Sequence, residues 1–251
     1  MKMDRTLDET RYYREKDGNL LKLEIYYDED PMHPRHDWAN IATTVCFHRR
    51  YVLGDLCAGY EGNTVTIPNT NVRYDNSADG AEAFAEWARK KLKAGELVIA
   101  SLELHDHSGL TMRVHSWGYD AFGTGRTGWD SGIVGWCFIT KDRAYAELEI
   151  KNGDDWTDEA KKHILSEVET YDNYLTGSVY RFVMSRLQSY RTVENGVEKV
   201  NFPDDAQWDE VESRSGFFGY DHEKSGLLDN VPDGAVRISE DELPKQVRED
   251  E

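Results

Sequence analysis

The sequence lacks the features that mark a membrane or a secreted protein. It contains no run of eighteen apolar residues, which a membrane-spanning helix needs. Residues 1–18, MKMDRTLDETRYYREKDG, hold no apolar signal-peptide core. The three cysteines, Cys46, Cys57 and Cys137, form no CxxC pair, and their odd number fits a reducing compartment. We therefore expect a cytoplasmic protein, with Cys46 and Cys137 buried and inert inside apolar runs.

Positive charge is also scarce: the chain has 48 acidic and 30 basic residues, and its net charge is −18. Residues 201–251 alone contain fifteen acidic and five basic residues. This balance disfavours direct binding to a nucleic-acid backbone. It fits either plain solubility or an acidic face that docks onto a basic protein surface. The candidate acidic interaction surface comprises Asp204, Asp205, Asp209, Glu210 and Glu212.

The apolar pattern predicts two long helices among several strands. Apolar residues recur at helical spacing over 78–93 and again over 156–176. Alternating or apolar runs predict strands near 20–28, 96–106, 133–140 and 178–193. Asn195-Gly196 is typical of a hairpin turn, because it tolerates positive φ. We predict a single α+β domain over 1–228 with a mainly antiparallel sheet, followed by an acidic, loosely ordered tail over 229–251.

One polar segment, HDHSGLTMRVHSWGYDAFGTGRTGWDSG, is the strongest candidate for chemistry. Asp106, His107, Asp130 and Ser131 form the candidate polar site, in which an aspartate beside a histidine can act as an acid–base pair. His105, His107 and Asp130 offer nitrogen and oxygen ligands that suit zinc, manganese or iron. The same residues are also ordinary turn formers between two strands. The segment has no HExxH or GxSxG motif, and its GTGRTG stretch lacks the strand–helix context of a dinucleotide site.

A basic patch, His48-Arg49-Arg50, stands out in this acidic chain. An arginine pair can bind a phosphate or a carboxylate, or it can form ion pairs with acids of the same chain. Internal pairing is the interpretation that we favour. His33 and His36, in the stretch HPRH, are further histidines that a metal site could recruit.

Four stretches carry a family resemblance, and they occur in this order: HDWANIATTVCFHRRYVLGD (36–55), HDHSGLTM (105–112), GWDSGIVGWCFIT (128–140) and VETYDNYLTGSVYRFVM (168–184). They resemble an uncharacterised family of accessory proteins from tailed phages and prophages, and the resemblance spans about 36–221. The family pattern has a Cys-Trp-containing stretch before Gly-Phe-Tyr-Gly. This chain instead reads ESRSGFFG from Glu212 to Gly219, so that Cys-Trp pair is missing.

The resemblance implies a role in a mobile element, whose small accessory proteins often bind host machinery. Our first hypothesis is therefore a phage or mobile-element protein that acts by binding, and that inhibits a host defence complex of the restriction or CRISPR type through its acidic surface. The alternative is a small metal-dependent hydrolase or nuclease-like enzyme that uses residues 105–130. We expect no cofactor under the first hypothesis and a divalent metal under the second. The expected partner is a host protein or nucleoprotein complex, and not a membrane.

Overall fold

The chain has an α+β fold in which antiparallel strands predominate, as the sequence predicts. The computed structural model describes residues 6–58, 64–66, 73–74, 78–123, 128–150, 155–189, 191–194, 197–200 and 206–243. The chain divides into two compact units. Unit 1 consists of Met1–Pro31 and Gly177–Glu251, and unit 2 is the continuous segment Met32–Thr176. The single domain predicted over 1–228 is thus organised as two compact units.

The helices are α1 (Ala78–Lys93), α2 (Lys141–Glu147) and α3 (Trp156–Thr176). The strands in chain order are β1 (Leu7–Arg14), β2 (Leu20–Tyr27), β3 (Thr43–Phe47), β4 (Leu56–Ala58), β5 (Val65–Thr66), β6 (Arg73–Tyr74), β7 (Leu97–Asp106), β8 (Leu110–Trp117), β9 (Ser131–Thr140), β10 (Val179–Ser189), β11 (Arg191–Glu194), β12 (Val197–Val200), β13 (Gln207–Phe218) and β14 (Val236–Ile238). Both long helices lie where the apolar spacing predicts them. The Asn195-Gly196 turn lies outside the described residues, although β11 and β12 on either side of it pair antiparallel.

Unit 2 is a five-stranded sheet in the order β4-β3-β9-β7-β8, with apolar clusters on both faces. All neighbours are antiparallel except β3 and β4, which are parallel. In β7, Val98, Ala100, Leu102 and Leu104 belong to the cluster with α3, whereas Leu97 and Ile99 belong to the cluster with α1. This alternation follows the two-residue period of a strand. The sheet is therefore buried between helices near its middle, and its polar residues lie toward one end.

The two long helices of unit 2 carry their own start and stop signals. Asp79 lies in the first turn of α1, and Asp158 and Glu159 lie in the first turn of α3, where acids favour the helix dipole. Gly95 and Gly177 follow the two helices with φ of +67° and +72°, which suits a glycine after a helix end. The helix positions were predictable because these signals are local.

Unit 1 is a five-stranded antiparallel sheet in the order β13-β10-β2-β1-β14. Its core packs Leu21, Leu23, Ile25 and Phe182 against apolar residues of 217–235. The sequence predicted a loosely ordered tail from residue 229 onward, and for residues 229–243 this prediction is wrong. In this segment β14 pairs with β1, and both Ile238 and Leu243 are buried. A three-residue strand inside an acidic stretch is too short to leave a periodic signal. Residues 244–251 lie outside the described part of the chain.

Within the described residues, none of the helices has the length and apolar content that crossing a membrane requires.

Candidate functional site

The end of β7, the start of β8 and the start of β9 meet at one polar junction in unit 2. His105 pairs with Ser131 across β7 and β9, and Asp106 pairs with Leu110 across β7 and β8. The backbone N–H of Asp106 donates to the carbonyl of Asp130 at 2.8 Å. The turn between β7 and β8 holds Ser108 at φ +57°, a left-handed conformation. The segments HDHSG and WDSG, which are far apart in the sequence, therefore lie side by side.

Two imidazole pairs occupy this junction. The Nδ1 atom of His107 lies 3.1 Å from Oδ2 of Asp130, and the His107 side chain is largely exposed. The Nδ1 atom of His105 lies 2.9 Å from Oγ of Ser131. The two imidazole rings are 6.1 Å apart. The structure thus brings together the residues of the candidate polar site, with each histidine bonded to a different partner.

Asp106 is held by the segment that carries the basic patch. Its Oδ2 atom accepts hydrogen bonds from Nη2 of Arg50 at 2.8 Å and from the hydroxyl of Tyr51 at 3.1 Å. The His48 ring stacks on Tyr51 at 4.9 Å, and its Nδ1 accepts the backbone N–H of Tyr51 at 3.1 Å. Burial lowers the pKa of His48, and the nearby Arg50 charge lowers it further. Arg50 is thus engaged in an internal ion pair, whereas Arg49 is exposed.

Both aspartates of the junction have partners among its own residues. Asp106 is paired with Arg50, and Asp130 is paired with His107. Among the described residues, no three His, Cys, Asp or Glu side chains are grouped so that they could hold a metal ion. Chemically, the junction offers a Ser–His pair and a His–Asp pair as separate units. It does not join a nucleophile, a base and an orienting acid into one chain of hydrogen bonds.

A buried glutamate beside the junction was missed in the sequence. Glu103, in the middle of β7, is 2% exposed and accepts from Nε of Arg113 at 2.8 Å. Nδ1 of His115 lies 3.3 Å from the same Glu103 oxygen. The hydrogen bond to Glu103 raises the pKa of Arg113. The available signal was an acid within the otherwise apolar run LVIASLEL, but its partners on β8 are not visible in a sequence.

A second buried ion network organises the proline-rich segment between β2 and β3. Arg35 is 5% exposed and bonds Asp55, Glu167 through Nη1 at 2.6 Å, and the carbonyl of Ala42 at 2.8 Å. Burial alone would lower the Arg35 pKa, but the hydrogen bond and charge of Asp55 outweigh it and raise that pKa. This network holds the chain in place and leaves the guanidinium no free face for a ligand.

His33 and His36 stack on each other close to this network. Their ring centroids are 4.0 Å apart, and Tyr174 lies 4.6 Å from the His33 ring. Nε2 of His36 lies 3.2 Å from the carbonyl of Gly54, and Nδ1 of His33 accepts the N–H of Arg35 at 3.2 Å. Both rings are therefore engaged in packing and hydrogen bonding. None of these contacts involves the polar junction of β7, β8 and β9.

Three of the five candidate acidic residues lie on the strand at one end of the unit 1 sheet. Asp209, Glu210 and Glu212 belong to β13, which pairs with β10 and ends the strand order. Asp209 and Glu210 are exposed, and Glu212 is half-buried. Glu212 pairs with Arg214 at 2.6 Å, and Glu210 accepts from the Ser213 hydroxyl at 2.6 Å. Asp204 and Asp205 lie outside the described residues. We call Asp209, Glu210 and Glu212 the acidic strand surface.

The cysteines take no part in either site. Cys46 and Cys137 are fully buried, and burial raises the pKa of Cys46 and raises that of Cys137 to about 12. A thiol with so high a pKa is protonated at neutral pH and therefore a poor nucleophile. Cys57 is half-buried, and its thiol contacts the carbonyl of Tyr51 at 3.3 Å.

No protein family, curated protein or solved structure matches the chain.

Proposed function

We propose that this chain is a phage or mobile-element protein that acts by binding, and that it inhibits a host defence complex of the restriction or CRISPR type. One observation carries the proposal. Three of the five acidic residues singled out in the sequence, Asp209, Glu210 and Glu212, lie close together along β13, which ends the strand order of its sheet, with Glu210 on the opposite face from the other two. The resemblance of the sequence to phage accessory proteins supports the mobile-element origin.

The physical basis of the proposal is electrostatic complementarity. Complexes that handle nucleic acids expose basic grooves, because they neutralise phosphates with lysine and arginine. A chain with a net charge of −18 is attracted to such a groove over a long range. The exposed acids Asp209 and Glu210 can then contact basic residues that otherwise contact the nucleic acid. Binding of this kind blocks the groove without any catalytic step.

The polar junction in unit 2 is better suited to a structural role than to catalysis. Its aspartates are already paired with Arg50 and His107, so a substrate or metal would have to displace an existing partner. Both pairs are partly exposed and each contributes little to stability, but among the described residues no third ligand side chain is grouped with them to hold a metal. The junction therefore serves best as a structural connection between β7, β8 and β9.

A phage challenge tests the proposal. Bacterial strains that each carry one restriction or CRISPR system, and that express this chain, are infected with a phage that the system targets. We expect the chain to restore plating in at least one strain. The triple variant D209N/E210Q/E212Q should lose this protection, because rim charges on the acidic strand surface set the rate of encounter. The control E86Q/D142N/E149Q removes three exposed charges from unit 2 and should retain protection.

A metal-dependent hydrolase is the second candidate function, and one observation favours it. His107 Nδ1 and Asp130 Oδ2 are 3.1 Å apart, a separation that two ligands of one metal ion can also adopt. Elemental analysis of the purified chain separates the two functions. Stoichiometric zinc or manganese that is lost in both H107A and D130A would favour the hydrolase. Protection in the phage challenge that survives H107A and D130A but not D209N/E210Q/E212Q would favour the binding protein.

A further inference from the structure

A cleft opens in unit 1 where the pairing of β1 with β14 stops. β14 pairs only with Tyr12, Tyr13 and Arg14 of β1, so the residues before Tyr12 have no β14 partner. The cleft has a volume of about 370 Å³ and is lined by residues of 10–12 and 237–240. This volume lies within the range of small-molecule sites. The position at the end of a strand pair leaves room for a ligand beside β1.

Two arginines in the cleft wall share one carboxylate. Nη2 of Arg11 lies 2.6 Å from Oε2 of Glu9, and Nη2 of Arg237 lies 3.1 Å from Oε1 of the same side chain. The hydrogen bond from Arg11 lowers the pKa of Glu9, and the charges of Arg11 and Arg237 lower it further. Glu9 is therefore ionised at neutral pH, but it balances only one of the two guanidinium charges.

Arg11 also has an unused donor. Its side chain is 14% exposed, and its Nε atom is buried without a hydrogen-bond acceptor in the part of the chain that the structure describes. A buried N–H of a charged group that lacks an acceptor is costly, so proteins rarely retain one without a reason. Because Arg11 lines the cleft, an acceptor bound in the cleft can approach this guanidinium.

We propose that this cleft binds a small ligand through an oxyanion group, either a carboxylate or a phosphate. Arg11 and Arg237 supply the charge from one face of the β1–β14 pair, and Thr10 and Tyr12 line the cleft from the other face. Guanidinium groups suit both kinds of oxyanion, since their N–H groups form a planar fork. The site lies in unit 1, uses none of the acidic strand surface and is independent of the phage challenge.

Glu240 is the acid in the cleft wall, and its negative charge opposes the binding of an anion. Burial raises the pKa of Tyr12, and the nearby Glu240 charge raises it further, so the carboxylate lies near Tyr12 in the cleft wall. An oxyanion in the cleft is repelled by Glu240 and attracted by the arginines. Neutralising Glu240 should therefore strengthen binding, whereas neutralising an arginine should weaken it.

The test titrates the full-length chain with sodium phosphate and, separately, with sodium acetate by isothermal calorimetry, at an ionic strength held constant with sodium chloride. We expect saturable binding of one equivalent of at least one anion, and the stronger of the two identifies the oxyanion. R237Q should bind about tenfold more weakly, because it removes a charge-assisted contact. E240Q should bind more tightly than the unchanged chain.

R214Q is the matched control. Arg214 and Arg237 belong to the same unit, have similarly exposed side chains (61% and 59%), and each pairs with one glutamate. R214Q should leave anion binding unchanged, which excludes a general effect of net charge. The proposal is overturned if neither anion gives saturable binding, if R237Q and R214Q lose binding equally, or if E240Q weakens binding while its circular dichroism stays native.

Discussion

Arg35 is a buried cation that holds three segments of unit 2 together. Its buried guanidinium compensates Asp55 and Glu167, which are 22% and 15% exposed. Arg35→Met would leave two poorly solvated carboxylates without a cation. We expect the free energy of unfolding to fall by about 3–5 kcal/mol, as measured by urea denaturation. Lys161→Met, which breaks an exposed ion pair with Asp158, should change it by less than about 1 kcal/mol. Equal losses for both variants would contradict the assigned role of Arg35.

His33 makes the stability of the chain depend on pH. Burial lowers its pKa below the ordinary 6.5, and the neighbouring His36 lowers it further. Below about pH 6.5 the unfolded chain therefore binds more protons than the folded chain, and stability falls as the pH falls. We expect His33→Asn, which keeps a hydrogen-bond acceptor near the N–H of Arg35, to lose less stability between about pH 7.5 and about pH 5.5. Urea denaturation at both pH values measures how much the free energy of unfolding falls. An equal fall in His33→Asn and in the unchanged chain would contradict this role of His33.

Much of the site was predictable at the residue scale, but its partners were not. Asp106, His107, Asp130 and Ser131 were candidates because histidines and aspartates crowd into one glycine-rich segment. Their actual bonding depends on Arg50, which is 56 residues away from Asp106 in the chain. Likewise, Arg35 and Glu167 are 132 residues apart. Residue type indicates which side chains can act as acids, bases or metal ligands. Only the register of β3, β7 and β9 determines which of them lie close together.

Among the elements, β9 shows most clearly how close packing constrains the sequence. A Cβ atom at Gly135 would collide with the carbonyl of Val45 and would lie 2.8 Å from Cα of Cys46, on the paired strand β3. Gly135→Ala should therefore force β3 and β9 apart and lower the free energy of unfolding by about 1–3 kcal/mol. Gly132 lies on the same strand with nothing within 4 Å of its Cβ position. Gly132→Ala should change the free energy of unfolding by less than about 0.5 kcal/mol in the same urea experiment. A similar loss at both positions would contradict the close approach.

Helices were more predictable than the strands β1 and β14, for a physical reason. The periodicity and end signals of α1 and α3 lie within each helix, so a single window of sequence contains them. β1 was missed because LDETRYYR is charged and lacks clear alternation, and β14 was missed because VRI is only three residues long. Such strands are specified by the neighbours they pair with, here β2 for β1 and β1 for β14. The short helix α2, KDRAYAE, is too brief to show a helical stripe.

At the scale of the whole molecule, the division into two units is the feature that the sequence did not indicate. Unit 2 is inserted between β2 and β10 of unit 1, and although Pro31 and Pro34 lie at its first boundary, no comparable break in composition marks the second, at Thr176/Gly177. In unit 1 the two boundaries are close, since the N–H of Asp28 donates to the carbonyl of Val179 at 2.8 Å. Composition and periodicity depend on local structure, so they do not indicate that one unit is inserted into another.

This division predicts that each unit folds separately. Residues 32–176 expressed alone should unfold cooperatively in urea, because their apolar clusters are complete within the segment. Unit 1 should do the same when Pro31 is joined to Gly177 by a short glycine–serine linker. Near-ultraviolet circular dichroism reports the packed aromatic residues of each piece. A piece that lacks both a near-ultraviolet signal and a cooperative transition would contradict the division.

The central claim is that the acidic strand surface of unit 1 docks onto a basic defence complex. The most direct measurement is the association rate of the chain with the purified restriction or CRISPR complex from a strain in which it restores phage plating, followed by surface plasmon resonance at increasing salt. We predict that this rate falls with salt, and that D209N/E210Q/E212Q lowers it by about tenfold while E86Q/D142N/E149Q does not. An association rate that is independent of salt, or that the two triple variants lower equally, would contradict the claim.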